Sequence, residues 1–97
     1  MARRSWWDEH REQVGELASG LEIFASRYVD KQAYLRRVGG YILWCHDHGH
    51  DPTEADYDRV TEYLDTARRV RDGEPFNFDN KKDARSCINS WHAWLRQ

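Results

Sequence analysis

Residues 31–52 read KQAYLRRVGGYILWCHDHGHDP, and this stretch decides the fold class. Tyr34, Leu35, Val38, Tyr41, Ile42 and Cys45 recur at steps of three and four, the period of one face of an α-helix. The spacing predicts a helix from about Asp30 to His48. Gly49 suits a left-handed helix cap, and Pro52 blocks continuation. Gly39 and Gly40 fall in mid-helix, where each costs roughly 1 kcal/mol of helix propensity. Two such residues in tandem imply that another element approaches the backbone closely there.

Helical periodicity continues on both sides. Upstream, Trp7, His10, Val14, Leu17, Leu21, Phe24 and Tyr28 form a continuous seam. Ser5 and Asp8 have capping-box spacing. Gly15 and Gly20 lie off the seam, and a break near Ser19 and Gly20 would make residues 1–30 one long helix or a helix pair. Downstream, a third helix is predicted to start at Thr53, capped with Asp56. Tyr57, Val60, Leu64, Ala67 and Val70 face inward, with Tyr63 alongside. Arg68, Arg69 and Arg71 suit its last turn, and residues 72–75 close it. Phe76, Asn77 and Phe78 make an aromatic loop tucked onto the core. Asp79 or Asn80 then caps a last helix whose inner face is Ala84, Cys87, Ile88, Trp91, Trp94 and Leu95. Strand alternation, internal repeats and low-complexity stretches are lacking. The expectation is one all-α domain over residues 1–97, a compact bundle of four to five helices.

Composition narrows the function. The chain has 97 residues, with 15 Lys and Arg against 17 Asp and Glu, a formal charge of −2. That balance excludes a histone-like or polybasic binder. A mean hydropathy of −1.01 and short apolar runs exclude a membrane-spanning helix. The opening residues, with Trp6, Trp7, Asp8 and Glu9 after Arg3 and Arg4, do not read as a secretory leader. Two cysteines, Cys45 and Cys87, are too few for a disulfide scaffold and suggest a reducing, cytoplasmic setting. The small net charge conceals segregation. The second helix (Lys31, Arg36, Arg37) and the last (Lys81, Lys82, Arg85, Arg96) are basic, whereas residues 51–80 are strongly acidic. If the two basic helices lie side by side, they present one positive face that can track phosphates.

The pattern Tyr34, Leu35, Ile42, Leu43, Trp44, Cys45, Gly49, then Thr53, Val60, Tyr63, Leu64, then Ser86, Cys87, Ile88, Asn89, Trp91, Trp94, Leu95 is similar to a known family. It resembles the SAM-like core-binding (N-terminal) domain of tyrosine recombinases, the phage integrases. The resemblance covers residues 31–97, and residues 1–30 would supply the family's first helix. It implies a SAM-like fold and duplex DNA contacted by the second and last helices, beside a separate catalytic domain. Where the family has an arginine after Ser-Ala-Leu, Asn89 stands here; where its preceding loop carries small Ser and Thr, residues 77–80 read NFDN. The family's catalytic arginines, histidines and nucleophilic tyrosine belong to that second domain, and Tyr34, Tyr57 and Tyr63 lack the cations that would activate such a nucleophile. A non-enzymatic DNA-binding module is therefore expected. Its candidate DNA-binding residues are Lys31, Arg36, Arg37, Asn80, Lys81, Lys82, Arg85 and Asn89. Partners implied are duplex DNA and a catalytic recombinase domain or another protein. The alternative is a free-standing protein-interaction domain, such as a small phage-encoded regulator or inhibitor, favoured by the acidic third helix.

Other clusters read as structural. Cys45, His48 and His50 or Asp51 have metal-ligand spacing, but Cys45 sits on the apolar face and histidine suits a helix C-terminus; no metal or cofactor is expected. Cys45 and Cys87 could meet as a reduced pair. Cys87 with His92 lacks an orienting acid for catalysis. Trp44, Trp91 and Trp94 read as core aromatics. Trp6 and Trp7 are adjacent, so one must leave the seam, as a partner anchor or as the cover of a helix end.

Overall fold

The computed structural model of the chain describes residues 5–97; Arg3 and Arg4, part of the opening stretch read above, lie outside the described residues. Five α-helices follow in order: α1 (Trp6–Val14), α2 (Ala18–Ala25), α3 (Lys31–Asp47), α4 (Tyr57–Thr66) and α5 (Phe78–Leu95). Among the described residues there is no β-strand, only an isolated bridge between Arg68 and Pro75. The all-α bundle expected from the periodicity is the fold observed. α3 touches each of the other four helices, and Leu35, Val38, Tyr41, Ile42 and Cys45 on it are fully buried.

The two glycines of α3 explain how so much packs against one helix. A Cβ on Gly39 would stand 2.9 Å from Cζ3 of Trp6 and 3.4 Å from Cζ3 of Trp7. A Cβ on Gly40 would stand 2.9 Å from the Tyr63 hydroxyl and 3.1 Å from Cγ1 of Val70. The close approach implied by the tandem glycines is thus real, and it comes from two directions. Trp6 is not a free anchor: its ring lies over Gly39 and stacks on His10, at 4.5 Å between centroids.

The N-terminal seam is interrupted five residues earlier than expected. Ser5 and Asp8 form the predicted capping box. Gly15 then adopts φ 78°, which ends α1, and a 3-10 turn (Gly15–Leu17) leads into α2. That left-handed conformation favours glycine, whereas Gly20 stays helical beneath Trp94. Glu22 ties the two pieces together, accepting from Trp7 Nε1 at 2.9 Å and from Arg11 Nη2 at 2.9 Å.

The third predicted helix is shorter at both ends. Asp51 makes a local turn by accepting from Thr53, so α4 starts at Tyr57 under an Asp56 cap. It stops at Thr66, where Ala67 turns extended at ψ 167°. Tyr57, expected inside, is 69 % exposed. It lies one turn beyond the core edge, and the Arg85 guanidinium sits 4.1 Å over its ring. Val70 and the neighbouring arginines belong to a turn rather than to a helix. Asn77, not Asp79 or Asn80, caps α5 through the Asn80 amide, at 2.8 Å. Phe76 tucks against Tyr63, while Phe78 points outward. The inner face of α5 is as expected, with Ala84, Cys87, Ile88 and Trp91 buried.

The glycine notch makes a paired prediction for thermal denaturation. Gly39→Ala drives a methyl into the Trp6 ring, and overpacking of this kind costs about 1–3 kcal/mol. Regained helix propensity returns about 1 kcal/mol of this, and at this chain length each net kcal/mol lost lowers the midpoint by about 4–8 °C. Gly20→Ala meets only Trp94 at 3.7 Å, an ordinary contact, and should raise the midpoint by removing unfolded-state freedom worth about 0.4–1 kcal/mol. Equal midpoints for the two variants would contradict the close approach.

Candidate functional site

Between α4 and α5 the chain folds into a tight turn closed by its own hydrogen bonds. Arg69 N–H donates to the Glu74 carbonyl at 2.8 Å, and Gly73 N–H donates to the Arg69 carbonyl at 2.8 Å. The Asp72 carboxylate accepts from Arg69 Nη2 at 2.7 Å and from the Glu74 amide at 3.1 Å. The Glu74 amide above all, and then the Arg69 guanidinium, hold the Asp72 carboxyl below the usual carboxylate range. Two apolar contacts seat the turn on the bundle: Val70 against Gly40, and Phe76 edge-on to Tyr63 at 5.5 Å.

Seating the turn there brings four arginines around one cleft. Arg36 and Arg37 come from α3, Arg69 and Arg71 from the turn, and Asn80 from the start of α5. They enclose a cavity of about 70 Å³, and Tyr63, Val70, Phe76 and Ala84 complete its lining. Arg69 donates to the Asn80 side-chain carbonyl and pairs with Asp72. Arg37 donates to Cys87 Sγ at 3.6 Å. Among the described residues, only Arg69 of the four lies within ion-pair distance of a carboxylate.

The residues singled out from sequence divide into two sets. Arg36, Arg37 and Asn80 meet at the cleft, Lys31 is exposed at the first turn of α3, and Lys82 is exposed on α5. Lys81, Arg85 and Asn89 are spaced four apart and therefore share one stripe of α5. That stripe turns away from the cleft, toward α4. Lys81 pairs with Asp65 at 2.9 Å. Arg85 donates to the Thr61 hydroxyl and stacks on Tyr57. Asn89 borders a separate hollow with Asp56, Tyr57, His92 and Arg96. The two basic helices do pack side by side, but Lys81 and Arg85 do not join Arg36 and Arg37 in one positive face. Arg69 and Arg71 were missed because they were assigned to the last turn of a helix. The Asp72-Gly73-Glu74-Pro75 turn signal, placed a few residues too late, was the clue to their position.

The remaining polar clusters hold structure. Burial pushes both cysteine thiols up, away from the thiolate needed for nucleophilic chemistry. They have different surroundings, Cys45 beside Tyr41 and Cys87 beside Arg37 and Tyr34. The rings of His48 and His50 lie against Trp44, and His48 Nδ1 is 2.8 Å from the Trp44 carbonyl. Among the described residues there is no group of three or more His, Cys, Asp or Glu placed to hold a metal ion. Trp44 and Trp91 are core residues, as expected. No helix among the described residues is long and apolar enough to cross a membrane.

The fold and the cleft together define a helical bundle with an arginine-lined pocket at the edge of its central helix. No protein-family model, curated protein or solved structure matches the chain.

His92 fastens the loop before α4 to α5. It is buried, its Nε2 lies 2.8 Å from the Pro52 carbonyl, and its ring meets Tyr41 edge-on. Burial, with a smaller contribution from Arg96, lowers its pKa from the ordinary value of 6.5. The unfolded chain therefore takes up this proton more readily than the folded one. The stability it contributes is complete above pH 6.5 and declines as pH falls through the depressed folded value. Urea midpoints measured from pH 7.5 down to 5.5 should fall, and His92→Asn should flatten that slope. An unchanged slope in the variant would assign the dependence to other groups.

Proposed function

We propose that this chain is a non-catalytic DNA-binding module of the SAM-like core-binding kind, working beside a catalytic recombinase domain. Duplex DNA would meet the edge formed by α3, the 67–76 turn and the start of α5. The observation that carries this reading is the arginine cleft. Arg36, Arg37 and Arg71 lack a carboxylate at ion-pair distance among the described residues. Lys31, half a turn around α3 from Gly40, and Lys82, half a turn around α5 from Asn80 and Ala84, are exposed on other faces. Arginine donors of this kind suit phosphate oxygens and guanine edges. The DNA-contacting set at this edge is accordingly Arg36, Arg37 and Arg71, with Asn80 and Arg69 bracing it. Lys81 and Arg85 serve the α4–α5 contact instead.

Support for the non-catalytic part comes from the groups nearest the arginines. The Tyr63 phenol is buried, and its pKa is pushed upward. The Cys87 thiol beside Arg37 moves the same way, for the same reason. Both shifts oppose formation of a nucleophile at neutral pH.

Fluorescence anisotropy with a labelled duplex tests the reading. Binding should be detectable at 50 mM salt and weaken steeply by 200 mM, with a log–log slope of about −0.9 per phosphate engaged. Arg36→Ala with Arg37→Ala and Arg71→Ala should weaken it at least tenfold and flatten the slope. Lys81→Ala with Arg85→Ala should change affinity less than twofold while lowering thermal stability. Wild-type protein that fails to bind at low salt would overturn the reading and favour a protein-interaction domain using the exposed Asp58 and Glu62 of α4.

A further inference from the structure

We propose that the arginine cleft is a discrete seat for one phosphate group, a phosphate monoester, and not merely a stretch of positive surface. Its size is the first reason. A cavity of about 70 Å³ admits a tetrahedral oxyanion among the arginines. Its charge is the second. Four arginines line it, and the one carboxylate within ion-pair distance of any of them among the described residues, Asp72, is already engaged by Arg69 and the Glu74 amide. The cleft is thus strongly positive when empty, and a dianion neutralises more of that excess than the single charge of a phosphodiester.

The way the cleft is built is the third reason. Like charges at a surface normally disperse, because their mutual repulsion opposes folding. Here apolar contacts gather them: Val70 in the Gly40 notch and Phe76 on Tyr63 hold the turn, and thereby Arg69 and Arg71, against α3. No carboxylate bridges Arg36 or Arg71 across the cleft among the described residues. The lining of Tyr63, Val70, Phe76 and Ala84 keeps one side of the cavity apolar, where charge interactions are stronger than in open water. Guanidinium forks match phosphate oxygens in pairs, and Arg69, braced by Asp72 and Asn80, is held in position before any ligand arrives. A monoester has a single bond to the rest of its molecule, so it can enter through one mouth. It could be the terminal phosphate of a DNA strand or belong to a small phosphorylated molecule.

Titrations of the wild-type chain and four variants at fixed ionic strength decide the matter. Inorganic phosphate, followed by calorimetry, should bind saturably at one site and raise the thermal midpoint relative to chloride. Arg71→Ala, an exposed turn position, and Arg36→Ala should each weaken phosphate binding at least fivefold. Arg36→Lys, which keeps the charge but loses the fork, should recover only part of it. Lys81→Ala should leave phosphate binding unchanged. Failure of phosphate to bind, or undiminished binding in both Ala variants, would overturn the proposal.

Duplexes with and without a 5′-phosphate then distinguish the sources. Preference for the phosphorylated end assigns the seat to a strand terminus. Equal binding, with inorganic phosphate still bound, assigns it to a small phosphorylated ligand. The proposal stands apart from DNA recognition: duplex binding without phosphate binding removes the seat alone, and phosphate binding without duplex binding removes the DNA reading alone.

Discussion

The absence of two methyl-sized groups from the middle of α3 is the constraint on which the molecule turns. At Gly39 the indole rings of Trp6 and Trp7 reach the helix backbone; at Gly40 the Tyr63 hydroxyl and Val70 do so. Consecutive helical residues point about 100° apart, so the two notches serve different neighbours. One fixes α1 and the other fixes α4 together with the turn that follows it. A helix of this length can then be surrounded in a small chain, since partners approach more closely than side-chain packing usually permits. The propensity lost at the glycines is offset by burial of aromatic rings, each of which removes a large apolar area from water.

Much of this was legible in the residues themselves. A three-four repeat of apolar positions, a Ser5–Asp8 capping box, a helix ended near Gly49 and the tandem glycines are local signals, and tertiary structure agreed with each. The misplacements arose where two local signals competed. Ala67 and Val70 continue the period of α4, so a pattern alone carries the helix through the arginines. The chain leaves the helix at Thr66, and Val70 meets the Gly40 notch from the turn that follows. Near α5, Asn77, Asp79 and Asn80 are all competent caps, and the inner face of the helix decides among them. At Gly15 and Gly20 two helix breakers compete, and Trp94 packing on Gly20 leaves Gly15 as the break.

The candidate site was half legible for a related reason. Segregation of charge by helix is visible in a sequence, but segregation by face is only partly so. The spacing of Lys81, Arg85 and Asn89 already says that they share one stripe. It does not say which neighbour covers that stripe. The stripe belongs to α4, where Asp65, Thr61 and Tyr57 receive the two cations. Arg36 and Arg37 are legible as candidates from their charge and from the second helix's place in the family pattern. Arg69 and Arg71 could be added only once the path of the turn was known.

A near-neutral chain can therefore hold a concentrated positive site because its carboxylates are placed unevenly. The acidic stretch does not simply shield the bundle. Glu54 and Asp56 engage Arg59, and Asp65 engages Lys81, so these carboxylates neutralise cations along α4 and the adjoining flank of α5. Within the turn, Asp72 engages Arg69 alone at ion-pair distance. Arg36, Arg37 and Arg71 remain at the opposite edge, drawn together by the same glycine notch that fixes α4. Packing places these cations, and the distribution of acidic partners determines which of them stay available to a ligand. Net charge registers neither effect, whereas the pairing of each cation with its own neighbour does.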